Sequence, residues 1–516
     1  MKKISLIVFT ALFGFSAVFS NDYEESHLST YLDITAESLD EFEEEWQEPN
    51  ILLYNGQAIP TPSIYQNPFM APNDFSEVHA NSYQTDTVSI RGPGKFSNRH
   101  TQDALIQPPT LGTSVLAFNS SGQIITVRVS LSVASTPITP YDNNLLLIDQ
   151  NTLEVLDSVN LPNTTFPVFI AYFYLDNLDR VVVHTPTKEV RIYSIVQNQF
   201  VLAQSYNLTT VLLPADTIVS VIPDSTGNLW FATQLGTVGY IQPGTGQISI
   251  SNLASVIGGS SIERISKSFA TDEDGGVFIV SSHALYRFEA STSGPIGIWR
   301  SVYDRGTRLK PGQAQQGSGT TPTLFNDFDG NKFVTIADNA DPYMHVVIFN
   351  RETGALIAQP VVFTRFPYAS SCQNSLIAVN HSVIIENNYG STGIGGISTT
   401  SGNLTTIPGI ARIAFDPVTG TSETVWTNYD ISIPSAISRL STKNGLIYTY
   451  AKDSKSWYFA SLDFEKGKIR NKVRVSTTGI LAGDLANNFF AGIGIGRDNS
   501  AYIPTLGGIT VWRAIE

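Results

Sequence analysis

DSTGNLWFA (residues 224–232) and YIQPGTGQISI (residues 240–250) decide the fold. The first is a turn rich in Gly, Asp and Asn that runs at once into a short apolar, β-branched or aromatic strand. The second is an apolar pair, a polar Thr-Gly turn and another strand. Glycine at a positive-φ position ties short antiparallel strands into hairpins, so the two stretches together read as a four-stranded antiparallel sheet.

Both landmarks recur. The first appears as NSSGQIITV from Asn119, DNLDRVVVH from Asp176, DSTGNLWFA from Asp224, DEDGGVFIV from Asp272, DFDGNKFVTI from Asp327, VNHSVIIEN from Val379, STKNGLIYTY from Ser441 and GRDNSAYIP from Gly496. The second is anchored at Asp149, Ser194, Gln242, Glu289, Asn350, Asp416 and Asp463, in steps of 45, 48, 47, 61, 66 and 47 residues. The two long steps coincide with insertions at 301–319 and 390–402. A period near fifty with four strands is one propeller blade, and radial closure gives each sheet a neighbour on both faces. The expectation is an all-β chain with a single propeller of eight four-stranded blades over residues 105–516, seven blades being the alternative count. A parallel β-helix needs a much shorter period.

The last unit supplies only SAYIP and GITVWRA after its turn, one strand short. The sequence therefore predicts that the ring closes by strand exchange between the chain ends, with TVSI at Thr87 as the missing strand.

The rest of the chain divides by composition. Residues 1–20 read as a signal peptide, with Lys2 and Lys3 before an apolar run too short to span a bilayer. Residues 22–48 hold eleven Asp or Glu and no Lys or Arg, a block expected to be a disordered tail, with a helical period only at 39–46. That block carries most of the formal charge of −14. Residues 49–104, rich in Pro, Asn and Gln, read as an extended connector with one small basic cluster, Arg91, Lys95, Arg99 and His100. Elsewhere basic residues read as sparse and unclustered, which excludes a nucleic-acid surface. Cys372 is the single cysteine, so the chain folds without an internal disulfide. These features place it in a bacterial periplasm or outside the cell, with no integral membrane segment once the signal is removed.

ASLDFEKGKIRNKVRV (residues 460–475) resembles the blade motif of the pyrroloquinoline-quinone-type propellers. Ala460, Asp463, Gly467 and Lys468 match that motif, Lys466 replaces its turn threonine, and its docking tryptophan is absent. GSGTTPTLF, TIADNADP, SVIIENNYG, NGLIYTYAK and NNFFAGIGIG resemble segments of uncharacterised exported bacterial propellers described as quinoprotein-like. The resemblance implies fold and export rather than chemistry. The dehydrogenases of that group set a vicinal disulfide against the cofactor, which one cysteine cannot form.

The strands that follow the Gly-Asp turns are expected to line the central channel, and two end in polar groups. Ile336 precedes Asp338, Asn339 and Asp341; Ile385 precedes Glu386, Asn387 and Asn388. Carboxylates mixed with amides suit a hard cation, so Asp338, Glu386 and Asn388 are the candidate ligands for Ca2+ and the six together a candidate polar-ligand site. The same residue types also serve as Asx-turn formers. His184 and His283 stand at equivalent strand ends, and Cys372 begins a channel strand without an identifiable base. No residue can be assigned as catalytic. The leading expectation is a binding or scaffold propeller for an unidentified protein or small polar ligand. The alternative is an enzyme at the channel mouth, a divalent-cation hydrolase or lactonase, or a quinoprotein oxidoreductase.

Overall fold

The computed structural model describes residues 56–94, 101–105, 110–131, 141–162, 170–313, 315–391, 406–453, 456–475, 486–488 and 490–513. The expected signal peptide and acidic tail lie outside them, as do Lys95, Arg99 and His100.

Eight antiparallel sheets follow one another along the chain, and among the described residues the one helical element is the single turn Leu253–Ser255. The first strands of the blades are Thr110–Phe118, Phe173–Leu175, Ile218–Pro223, Ala270–Thr271, Thr323–Asn326, Ile377–Val379, Arg439–Ser441 and Gly494–Ile495. Several touch the first strand of the next blade. They are largely buried, whereas among fourth strands Gln199–Asn207 is mostly open to solvent and Gln247–Asn252 has no buried residue. First strands therefore line the axis and fourth strands form the rim: the chain is an eight-bladed β-propeller. The strands after the Gly-Asp turns, expected at the channel, are the second of each blade. The turn itself separates the innermost strand from the next.

The recurring turns have one chemistry. The leading Asp accepts the backbone N–H groups two and four residues on: Asp176 from Leu178 and Arg180, Asp224 from Thr226 and Asn228, Asp272 from Asp274 and Gly276, Asp327 from Asp329 and Asn331, all at 2.7–3.1 Å. A short side-chain acceptor at this place removes two orphan donors from a tight hairpin. Aromatics on fourth strands then tie each blade to the next. Trp299 Nε1 donates to Arg351 O at 3.2 Å, and Trp426 Nε1 to Phe464 O at 2.9 Å. Each ring lies over a glycine, Gly354 and Gly467, where an added Cβ would fall 2.7 and 2.4 Å from indole carbon. The docking tryptophan missing from blade seven is thus present on blades four and six.

The largest departure from expectation is the segment before the ring. Residues 56–94 do not bridge open solvent; they travel round one mouth of the channel and then across it. Ile59 N donates to Thr442 O of blade seven at 2.8 Å, and Ile64 and Tyr65 pack beside the core of blades four and five. Asn67 Nδ2 reaches Pro223 O of blade three at 2.9 Å. Ala71 and Ser76 bracket Leu175 of blade two, and Phe75 O accepts from Phe118 N of blade one at 3.1 Å. Val78 lies on Gly492 of blade eight. The chain then crosses the axis, and Ser82, Tyr83, Thr85 and Asp86 offer carbonyls to Thr271, Leu324, Ala378 and Leu440 of blades four to seven, at 2.8–3.4 Å.

Closure by chain-end exchange holds, with a different strand. Thr101–Leu105 pairs antiparallel with Gly508–Trp512 as the outermost strand of blade eight. Thr87–Val88, the expected partner, instead adds in parallel to Arg439–Ser441 as a fifth strand on the axial edge of blade seven. Thr87–Val88 is the more β-branched of the two segments, but the sequence offers no register signal that assigns either to blade eight.

Because residues 67–90 satisfy inner-strand donors, a chain beginning at Gly56 should melt within about 2 °C of the full chain, while one beginning at Gly92 should lose most of its stability. Thermal denaturation of both checks this. Equal melting temperatures would mean that the ring holds itself without the segment.

Candidate functional site

Second strands end at the mouth opposite the N-terminal segment, which places the two predicted polar groups there. Asp338 Oδ1 accepts His345 N at 2.7 Å, and its Oδ2 lies 2.6 Å from His345 Nδ1. That carboxylate holds His345 above its ordinary pKa. Asn339 Nδ2 donates to Arg305 O at 2.8 Å, and Asp341 Oδ2 accepts Thr307 Oγ1 at 3.0 Å. The blade-five group thus fastens the insertion before its own first strand. In blade six, Glu386 accepts Ser438 N at 2.9 Å and Asn374 Nδ2 at 2.5 Å. Asn387 Nδ2 donates to Ala369 O and Asn388 Nδ2 to Ile433 O, both at 3.0 Å. This group ties the strand approaches of blades six and seven. Among the described residues the two groups share no hydrogen-bond partner, and no three His, Cys, Asp or Glu gather as a metal centre would require.

A second constellation, missed in the sequence, lies inside the channel. Asp86 is fully buried; His79 Nδ1 lies 3.1 Å away, Ser375 Oγ donates to it, and Arg439 Nη1, 3.4 Å away, pairs with it by charge without a hydrogen bond. Ser375 Oγ is also 2.7 Å from His79 Nδ1. Serine, histidine and aspartate here do not form a nucleophilic triad. A triad sets the serine and the carboxylate on opposite imidazole nitrogens, whereas both meet Nδ1, and His79 Nε2 has no partner among the described residues. Nearby, Glu77 Oε1 accepts His79 N at 2.9 Å, and burial pushes its carboxyl up to about 7.

Lys267, three residues before the inner strand of blade four, crosses to Gln373 O of blade six at 3.1 Å, and burial pulls its ammonium down to about 8. Cys372 donates Sγ–H to Asn374 O, and burial, then Glu386, pushes its thiol up to about 12, which disfavours the thiolate. His184 is buried and drawn down to about 4, so it stays neutral. His283, with Nδ1 2.8 Å from Ser282 Oγ, is also lowered by burial.

Glu77, His79 and Asp86 escaped the sequence reading because a segment without strand or helix period reads as a linker. One signal was present: Met70, Phe75, Val78, Tyr83 and Val88 recur every three to five residues, and all are buried. A solvated linker has no use for such residues.

The class is therefore an eight-bladed propeller whose channel is closed at one mouth by its own N-terminal segment. No family model matches the chain. An uncharacterised protein of Archaeoglobus fulgidus is 28% identical over 315 residues, covering 57% of this chain and 60% of that protein, so the match spans less than two thirds of either. In fold the chain is similar to the quinohemoprotein alcohol dehydrogenase ADHIIG of Pseudomonas putida HK5, with a TM-score of 0.53 and 10% identity over 85% of this chain and 77% of that one. It is similar also to Sqt1 of Chaetomium thermophilum, with a TM-score of 0.51 and 10% identity over 79% and 98%. Likeness at this identity is of fold alone.

The residues do not fit a quinone cofactor of the dehydrogenase type. Cys372 has no second cysteine with which to form the vicinal disulfide, and it is bonded to Asn374. The channel's charged groups are engaged within the protein, Asp86 with Arg439, Glu386 with Ser438 N and Asn374 Nδ2, and Lys267 with Gln373 O.

Glu386 gives a pH test. Burial lifts its carboxyl from 4.5 to about 7 against the opposing hydrogen bonds of Ser438 and Asn374. Between those values the folded state binds the proton more tightly than the unfolded chain, so stability falls as pH rises from 4.5 to 7 and is flat in this group above. Glu386→Gln removes that loss, and its melting temperature relative to the parent should climb from pH 5 to pH 8. A difference independent of pH would contradict the assignment. Calcium added to the same samples, in chains beginning at Gly56, should leave both melting temperatures unchanged. A rise with the logarithm of calcium concentration, lost in Glu386→Gln, would restore the metal reading.

Proposed function

We propose that this chain is a quinoprotein-like propeller that serves as a binding or scaffold module in the bacterial envelope or exterior. One observation carries the reading: the mouth at which inner strands end is filled by residues 56–90, and the polar groups within the channel bond mainly to each other. A channel so filled offers little space for a substrate, which leaves the opposite mouth, the rim and the faces of the ring as binding surface. A propeller of similar fold is bound to a protein segment: Sqt1 of Chaetomium thermophilum, similar to this chain with a TM-score of 0.50 and 12% identity over 78% of it, is bound to the N-terminus of the ribosomal protein L10. Export rests on the basic residues Lys2 and Lys3 and the apolar run that follows them. Among the described residues no helix is long and apolar enough to cross a membrane.

The mature protein, supplied with pyrroloquinoline quinone and calcium and assayed with an artificial electron acceptor across primary alcohols and aldose sugars, should show no turnover. Its mass on isolation from the producing cell should correspond to a chain beginning at Asn21. A saturable, cofactor-dependent rate would replace the binding reading with an enzymatic one, and an uncleaved mass would remove export.

A further inference from the structure

Blade seven is charged unlike any other part of the chain. Residues 439–474 hold nine of the 31 Lys and Arg residues and only three acids, Asp453, Asp463 and Glu465. The expectation of unclustered basic residues fails here in the sequence itself, since these nine lie within 36 consecutive residues. Some are spent: Arg439 faces Asp86, Arg470 pairs with Asp463 at 2.9 Å, and Lys472 lies 4.1 Å from the Tyr458 ring. Lys443, Lys466 and Lys468 are exposed, and none forms an ion pair among the described residues.

Those three lysines share one corner. Lys443 belongs to the turn between the first two strands of the blade, and Lys466 and Lys468 to the turn between its last two, both on the face occupied by the N-terminal segment. Phe464 N donates to Gly445 O at 3.0 Å, joining the turns. Arg91, also exposed, lies beside Gly92, which packs on Tyr448 of the same blade.

The described chain begins at the same corner. Gly56 rests so closely on Asn444 that a Cβ would fall 1.6 Å from its carbonyl oxygen, and Gly445 meets Gln57 O in the same way at 2.3 Å. Only residues 49–55 separate this point from residues 22–48, with their eleven acids and no base. Seven residues reach at most about 25 Å, so the acidic segment cannot travel far from where it is anchored. Such tethering raises the local concentration of acid at the corner to the millimolar range.

We propose that residues 22–48 dock in cis on the basic corner of blade seven formed by Lys443, Lys466 and Lys468. Docked there, the segment neutralises the corner and withholds it from other anions, and the contact is governed by salt. The Debye length falls from about 10 Å at 0.1 M to about 3 Å at 1 M, which leaves exposed pairs little attraction.

Carbodiimide joins a carboxylate to an amine only when they touch, and tests this on the full-length chain. An equal mixture of unlabelled and nitrogen-15-labelled protein is treated at 0.05 M and at 1 M sodium chloride, and the joined peptides are read by mass spectrometry. Lys332 and Glu273, 3.0 Å apart, serve as the internal standard. The expected result is that residues 22–48 join to Lys443, Lys466 and Lys468 within one isotopic chain at low salt, at least fivefold more than at 1 M. Joined peptides spread over the other exposed lysines, or none while the standard forms, overturn the proposal. Mixed-isotope products overturn it in favour of a second copy. In the triple variant Lys443→Glu, Lys466→Glu, Lys468→Glu, acid-specific labelling of residues 22–48 should rise; labelling equal to the parent counts against docking.

Discussion

The innermost strands of an eight-bladed ring end in backbone N–H groups that point at an axial space too wide for side chains to fill, and every one of those donors needs a partner. In this molecule the partner is the protein's own N-terminal segment. Phe118, Leu175, Thr271, Leu324, Ala378 and Leu440 each donate to a carbonyl between Phe75 and Asp86. Blade three shows the rule by its exception. Pro223 stands at the end of its inner strand with no N–H to give, and there the direction reverses, its carbonyl accepting from Asn67 Nδ2 and Thr271 Oγ1, both at 2.9 Å.

Following seven strand ends with one short chain distorts its backbone. Asp74, Ala80, Gln84 and Asp86 all adopt positive φ, between 52° and 83°, without being glycine. Such residues cost on the order of 1–3 kcal/mol each and persist only where surrounding contacts over-determine them. Tyr83 shows what holds the segment. Its hydroxyl donates to Glu273, whose other oxygen takes Arg351 at 2.8 Å, while the Arg351 guanidinium lies 4.8 Å over the Tyr83 ring. Arg351 is fully buried, so its charge is compensated by these partners and by Asp272 at 3.7 Å.

The blades were legible because they are local: an Asp and a Gly three residues apart in a turn, as in Asp224 and Gly227 or Asp327 and Gly330, then a short apolar strand, encode a hairpin wherever they stand. Blade count, strand number and chain-end closure followed from that repetition. The identity of the closing strand did not, since Thr87–Val88 is wholly β-branched while the strand that closes the ring, Thr101–Leu105, has a single β-branched residue, so local propensity pointed to the wrong segment. Asp338 and Glu386 looked alike in sequence, as carboxylates among amides after a strand. What distinguishes a ligand cluster from two sets of loop fasteners is which backbone groups lie opposite, and those come from distant parts of the chain. His79, Asp86 and Ser375 meet for the same reason, across 289 residues of sequence.

Residues 67–90 are part of the folded ring rather than a strap laid on it. Native-state hydrogen exchange measures this directly, because segments that open together exchange with one free energy. Amides of Ala71, Ala80 and Asp86 should exchange as slowly as those of Leu175, Leu324 and Leu440, and both sets should shift together when mild denaturant is added. Exchange of residues 67–90 within seconds, with the inner strands still protected, would contradict this.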